Sequence, residues 1–576
     1  MPSSALTTES RLRALDTMSA PDGVDVLVVG GGVTGAGIAL DAATRGLTTA
    51  IVEAQDWADG TSSRSSKLVH GGLRYLLMLD FKLVHEALTE RDLLLSTIAP
   101  HLVQPVPFLY PLTHAVWERP YVATGIGMYD ALAHAPGRKR ALPMQKHLSK
   151  SGLLEVFPDF KPEAAVGAVR YYDAKVDDAR LVVTLVRTAA HHGALAASRT
   201  QMVAVSKNSH GIVDGADIVD LLSGTEYHVA ARNVIVATGV WTEETENLTA
   251  SDGGLRVLAS KGIHIVVPRD RIDGRMGIIS QTEKSVLFII PWDNYWVIGT
   301  TDTPWGEALR HPVATRADID YVIAHANAVL RRPLTREDVM GVYAGLRPLL
   351  QPGTKEGTSS AKVSREHTVA SPSPGMTVIA GGKLTTYRVM AADAVDFALG
   401  DGSKARPSVT ATLPLLGADG YQATLAKRGQ LAATYGWGQD RMKHLLTRYG
   451  SLIEDLTDLI DATPALGEPV MGAPDYLACE IAYAAMSEGA LSLEDVMMTR
   501  TRLHYETPDS GLGAACAIAA ILAPILGWDA SRTEAEIAAY TDRIRAEKAA
   551  RDCDTDAEAE EVRLTAKDTT PMRALA

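Results

Sequence analysis

The chain has 576 residues, more than one hydrophobic core accommodates, so two or three domains are expected. Lys plus Arg number 56 against 69 Asp plus Glu, and the net charge of −13 argues against a nucleic-acid partner, which would need a broad basic surface. The three cysteines, Cys479, Cys516 and Cys553, lie late in the chain without C-x-x-C spacing, which points away from a disulfide framework or metal centre and towards reducing cytoplasm.

Residues 1–22 carry Arg11 and Arg13 but no apolar signal-peptide core, and they read as a flexible lead-in. The apolar run Val24–Val29 then enters Gly30-Gly31-Gly32-Val33-Thr34-Gly35, a small-residue helix follows, and Glu53 ends a second apolar run, Thr49–Val52. This is the pattern of a dinucleotide-binding βαβ unit. Gly30 allows the tight turn, Gly32 lets a pyrophosphate approach the backbone, and Gly35 lets helix and strand pack closely. The helix N-terminus offers unpaired N–H groups to the phosphates. An acid at position 53 suits a free ribose 2′-hydroxyl, which leaves FAD or NAD rather than NADP.

Two stretches lack charges over a nominal spanning length, Leu93–Trp117 and Ser510–Trp528, but prolines break the first, and the second reads as an alanine-rich core helix. Apolar Tyr121–Leu132 precedes Arg138, Lys139, Arg140, Lys146 and Lys150, a pairing suited either to an anionic membrane surface or to an ordinary solvated loop. Further strands are expected at Val203–Val205, Asn233–Ala237 and Met376–Ala380. The runs Ser260–Val267, Ser285–Pro291 and Tyr295–Gly299 read as an antiparallel sheet inserted between the halves of the nucleotide domain. Helical periods at Gln422–Tyr435, Tyr476–Glu488, Leu493–Arg502 and Glu534–Arg545 predict a separate domain. The fold class expected is therefore α/β, a discontinuous FAD-binding Rossmann-like domain and an inserted antiparallel-sheet substrate domain interleaved over 23–400, then an all-α C-terminal domain over 401–550. Charge crowding makes 551–576 a disordered tail.

FAD is preferred over NAD because two more strand-to-glycine junctions, at Thr238-Gly239 and Gly381-Gly382, point back at one cofactor, as a flavin ring requires. At this point the chain resembles the FAD-dependent, quinone-linked glycerol-3-phosphate dehydrogenases. The segments that carry the resemblance are Gly30–Gly37, Thr61–Ser63 with Ser65–Tyr75, Val176–Leu181, Lys261–Pro268, Ile298–Asp302, Tyr343–Leu349 and Gly381–Arg388, with a shorter match at Glu494–Val496 and Arg500–Leu503.

The resemblance implies oxidation of sn-glycerol 3-phosphate to dihydroxyacetone phosphate, with electrons passed to membrane quinone by an enzyme peripheral to the inner face of the cytoplasmic membrane. An oxygen-using oxidase and a non-catalytic flavin-binding sensor or scaffold are the alternatives. A second copy of the chain, in a homodimer, is also among the expected partners. Cofactor contacts are expected from Gly30, Gly31, Gly32, Gly35, Glu53, Thr61, Ser62, Ser63, Ser66, Lys67, Leu68, Gly71, Gly72, Thr238, Gly239, Gly381, Gly382, Lys383, Leu384 and Thr385.

A phosphorylated substrate needs a cationic clamp, and the planar guanidinium fork suits phosphate. Arg347 and Arg365 are the candidates, although Glu366-His367 departs from the acid-plus-tyrosine sequel seen in parts of the family. By resemblance Arg74 and Tyr75 face the substrate, and Lys383 stands beside the flavin ring, where it would also polarise a bound oxygen. His264 is the candidate proton acceptor, its alternative being a satisfied strand histidine, and His70 is a second candidate better suited to packing on the flavin. Thr301 is read either as a substrate contact or as a turn-stabilising hydroxyl.

Overall fold

The computed structural model describes residues 4–72, 80–114, 118–132, 141–249, 255–282, 286–350 and 367–575. The first sheet runs in the order His367–Ala370, Met376–Gly381, Glu226–Val236, Val24–Val29, Thr49–Val52, Leu195–Ala197. Val24–Val29 is central and parallel to both neighbours, with Val28 opposite Ile235 on one side and Ile51 on the other. A strand buried on both faces must be almost wholly apolar, and in Val24–Val29 only Asp25 is not buried. Val26 and Val28 pack under the helices Val33–Thr44 and Asp178–His191. Leu27 and Val29 face the other way, against Leu15, Met18 and Ile218.

That second face corrects the expectation of a flexible N-terminus. Residues Thr8–Met18 form a helix whose cap, Thr7, accepts the Ser10 N–H at 2.9 Å. Leu15 and Met18 are buried, and Arg11 is buried with them, donating to the Ser198 carbonyl at 2.6 Å and to Asp220 at 2.5 Å. Charge in a short polar sequence suggests solvation, but here Nε and Nη2 of the guanidinium are partnered inside.

The inserted domain is a ten-stranded sheet in which Val257–Pro268, near one end, pairs antiparallel with Tyr295–Gly299 and with Gly341–Leu350. It is antiparallel as expected except for one junction, where Gly277–Gln281 runs parallel to Gln104–Leu112. The proline-broken stretch 93–117 thus supplies a strand. Helix Arg316–Val329 covers one face through Ile319, Val322 and Ala326.

Beyond residue 400 the chain is helical except for a two-stranded ribbon, Pro469–Val470 with Ala473–Leu477, so the domain is not strictly all-α. The helix Leu512–Leu526 buries one face through Ala514, Ile518 and Leu522. No helix among the described residues is long and apolar enough to cross a membrane.

The segment from 551 onward is also ordered where disorder was expected. Helix Asp556–Arg563 carries a Thr555/Glu558 capping box and buries Ala559 against Val313 and Ala550.

Candidate active site

One cavity of about 360 Å³ runs along the junction of the two sheets, within the range of roughly 300–1,000 Å³ usual for ligand pockets. Part of its wall is built by the first glycine turn. Gly30 has a φ of +113°, and a Cβ there would lie 2.6 Å from the Ala237 carbonyl, so only glycine makes this turn. A Cβ on Gly35 would lie 1.9 Å from the Gly30 carbonyl, which is the close helix–strand approach expected of the third glycine.

Gly32, Val33 and Thr34 line the cavity at the start of helix Val33–Thr44, whose cap residue has no side chain to satisfy the free N–H groups. Ser62 Oγ accepts the Val33 N–H at 2.9 Å. Glu53 lies beside this turn. Its carboxylate accepts the N–H groups of Gly31 at 2.6 Å and Gln55 at 2.7 Å, and burial pushes it up to about 7 despite these bonds.

The cavity is also lined by His264, Arg347, Lys383, Ser66 and His70. His264 comes from the strand Val257–Pro268, is buried, and stacks on Tyr343 with centroids 4.9 Å apart. Its Nε2 shares a 2.8 Å hydrogen bond with Ser66 Oγ, and its Nδ1 has no hydrogen-bond partner among the described residues. Burial, with Arg347 and Lys67 nearby, holds this imidazole well below its usual range, so it is neutral at pH 7.

Arg347 lies opposite on Gly341–Leu350 and donates from Nη2 to Thr300 Oγ1 at 2.8 Å and to the Thr301 carbonyl at 3.0 Å. A Cβ on Gly262 would lie 2.2 Å from that nitrogen, so the glycine makes room for the guanidinium. Lys383 enters from Gly381-Gly382, both left-handed at φ +80° and +82°, and caps the turn Leu384–Thr386 that leads into helix Tyr387–Leu399. Thr385 Oγ1 accepts the His70 N–H at 3.1 Å, tying this turn to the hydroxyl-rich segment.

The cavity wall includes Gly30, Gly32, Glu53, Thr61, Ser62, Ser66, Leu68, Thr238, Gly239, Gly381, Gly382, Leu384 and Thr385, all read from the sequence. Several others do not reach it. Gly31 serves the wall through its bond to Glu53, and Gly35 through packing. Lys67 is buried and turned away, paired with Asp178 and donating to the Ser63 carbonyl at 3.1 Å, and Ser63 does not line the cavity either. Gly71 packs against Leu88 and Tyr129, and Gly72 does not line the cavity. Thr301 is buried, and its hydroxyl accepts the Ile263 N–H at 3.0 Å, which fits the turn-stabilising reading and not the substrate contact. Arg74, Tyr75 and Arg365, like Arg138–Arg140, lie outside the described residues.

The sequence reading missed Thr200–Met202, Trp241, Arg310, Met572 and Leu575 in the same wall. The strand at 203–205 was a signal for the first of these, and nothing local marked the rest.

Residues 25–388 match the family model of FAD-dependent oxidoreductases, and residues 408–533 match the C-terminal domain of alpha-glycerophosphate oxidase. The chain is 51% identical over 524 residues to glycerol-3-phosphate dehydrogenase 2 of Mycobacterium tuberculosis, covering 91% of this chain and 88% of that one. This chain belongs to the FAD-dependent glycerol-3-phosphate dehydrogenase family. The human mitochondrial member is 36% identical, with 90% of this chain and 73% of that one covered. The structure superposes on the glycerol-3-phosphate dehydrogenase from Bacillus halodurans, solved as a complex with FAD, with a TM-score of 0.75 at 27% identity over 94% of this chain and 98% of that one.

FAD is this family's cofactor, and the residues of the cavity fit it. The uncapped helix start and Gly32 suit a pyrophosphate, Glu53 suits a ribose, and three strand-to-glycine junctions converge on the remaining length.

Proposed function

We propose that this chain oxidises sn-glycerol 3-phosphate to dihydroxyacetone phosphate and passes the electrons to membrane quinone. The observation that carries the reading is that a guanidinium, an ammonium and a neutral imidazole, those of Arg347, Lys383 and His264, line the same cavity. Bound FAD supplies the acceptor for the hydride that leaves C2 of the substrate. Arg347 clamps the phosphate, its geometry fixed in advance by Thr300 and the Thr301 carbonyl. His264, oriented by Ser66 and by stacking on Tyr343, takes the hydroxyl proton. A dianionic phosphate beside Arg347 offsets one of the charges that depress this imidazole, making it a stronger base when substrate is bound. Lys383 would place positive charge beside the flavin ring, where it favours the anionic reduced form.

Anaerobic addition of glycerol 3-phosphate tests the reading, and loss of the yellow flavin absorbance is expected. Colour that persists would instead leave a flavin-binding sensor or scaffold. The oxidase reading is supported by the family description matched at residues 408–533, and it predicts stoichiometric peroxide in air. The quinone reading predicts little peroxide and fast transfer to a soluble quinone.

Access to quinone calls for docking on the inner face of the membrane. Helix Glu118–Leu132 leaves Tyr121 58% and Met128 39% exposed, Met144 is 55% exposed, and exposed Lys146 and Lys150 follow. An apolar surface flanked by lysines suits anionic lipid. Neutralising Arg138, Lys139 and Arg140 should weaken binding to anionic vesicles by about 1 kcal/mol per charge while dye-linked turnover persists. Unchanged vesicle binding would remove this surface from consideration.

A further inference from the structure

The segment after helix Asp556–Arg563 does not leave the molecule. Lys261, buried in the substrate sheet, pairs with Asp318 at 2.5 Å and also with Asp556, so the helix is held at its start. Asp568 then accepts from Arg310 at 2.7 Å and from His311 Nε2 at 3.0 Å, and Arg543 holds the other face of that ring, Nη2 to Nδ1, at 2.8 Å. Arg310 reaches onward to the Gln55 side chain, two residues past Glu53.

The chain next pairs with Gln201 as though with a strand. Gln201 Nε2 donates to the Arg573 carbonyl and the Arg573 N–H donates back to Gln201 Oε1, both at 2.8 Å. The Arg573 guanidinium closes the crossing on Glu226 at 2.7 Å and the Gly224 carbonyl at 3.2 Å. Met572, between these anchors, and Leu575, just beyond the second, line the dinucleotide cavity together with Glu53, Gln55, Thr200 and Met202.

We propose that Leu564–Leu575 is a strap across the adenosine end of the FAD channel, with Met572 and Leu575 forming part of the adenine site, and that its opening controls FAD release. The location follows from Glu53. The carboxylate suited to the ribose is on this side of the glycine turn, and the Thr200 N–H, one residue before Gln201, donates to the Glu53 carbonyl at 2.7 Å. Beyond a ribose at Glu53 comes the base. A purine presents a flat apolar face, and the polarizable thioether of Met572 with the Leu575 side chain suits such a face. Both residues are carried by a segment held through side-chain contacts rather than by a sheet or a long helix, so this wall can move without unfolding the Rossmann core. The inference rests on FAD as the cofactor and is independent of the substrate assigned above.

The test compares full-length holoprotein with two variants, deletion of residues 566–576 and the full-length double substitution Asp568→Asn with Arg573→Ala. FAD release is followed by flavin fluorescence after dilution, and thermal unfolding of each apoprotein is measured in parallel. Both variants are expected to release FAD at least tenfold faster, with little change in apoprotein unfolding. Arg573→Lys, which keeps a charge for Glu226, is expected to stay near the wild-type rate. Unchanged release in the double variant would overturn the strap. So would faster release matched by an equal loss of apoprotein stability, since the segment would then only brace the fold. If glycerol 3-phosphate failed to bleach the flavin while both variants still lost FAD quickly, the substrate reading alone would fall.

Discussion

His264 and Arg347 separate chemistry from binding. His264→Asn should lower kcat by about 10²–10⁴-fold, the usual worth of a positioned general base, while the purified protein stays yellow. A variant with unchanged kcat would leave His264 as a strand histidine. Because the folded-state imidazole is depressed below its unfolded value of roughly 6.5, its contribution to stability is complete above that pH and is lost as pH falls through the folded value. The pH profile of kcat/KM should accordingly show no limb from His264 near pH 6–7. Arg347→Ala removes a charge-assisted phosphate contact worth about 1.5–3 kcal/mol, so KM should rise by about 10- to 100-fold with FAD affinity kept. Equal losses in KM and FAD retention would mean that the guanidinium mainly holds Thr300 and Thr301. Both residues were legible because their motifs carry them. Motif membership says nothing of which way a side chain turns: Lys67, expected at the cofactor, turns to Asp178, and of the two readings open for Thr301 its bond from the Ile263 N–H fits the structural one.

Among the elements, the glycine turn was the most legible, since each of its glycines answers a steric demand that the sequence states outright. Gly35→Ala puts a methyl group against a backbone carbonyl that cannot rotate away, so overpacking of about 1–3 kcal/mol and loss of FAD are expected together. A yellow variant of native stability would show that helix Val33–Thr44 can shift on its strand. Less regular elements were harder to read. The period at Leu493–Arg502 predicts one helix, but the chain makes a short helix, Leu493–Asp495, then a wider π turn, Val496–Arg500, which buries Arg500. Helix Thr8–Met18 and the segment Leu564–Leu575 read as flexible or disordered because key charges on them are satisfied by partners hundreds of residues away, such as Asp220 for Arg11 and Glu226 for Arg573. No local pattern encodes such pairs.

The whole molecule is joined by the same kind of long-range contact. The helical domain was legible as a separate unit, but how it seats on the nucleotide domain was not, because much of the seam is made of buried ion pairs between residues far apart in the chain. Arg180 meets Glu488 at 2.7 Å, Arg199 meets Asp495 at 2.5 Å, and Asp177 holds both Arg448 and Arg502 near 3 Å. At the centre Arg500, fully buried, binds both carboxylate oxygens of Asp56 at 2.5 and 2.7 Å, three residues past Glu53. Removing one member of such a pair strands the other charge inside the protein. Arg500→Met should therefore cost about 3–5 kcal/mol, and adding Asp56→Asn should recover part of that loss. Burial already pushes the Asp56 carboxyl upward against the pull of Arg500, and without the guanidinium it should bind a proton at still higher pH. A carboxyl raised in the folded state favours folding below its unfolded value of roughly 3.9 and loses that contribution as pH rises, so the deficit of Arg500→Met relative to wild type should widen from about pH 4 towards neutrality. Denaturant unfolding across this range measures it. A deficit independent of pH, with no recovery in the double variant, would mean that Arg500 acts through packing and its bond to the Glu488 carbonyl, and that the domains are seated by shape rather than by charge.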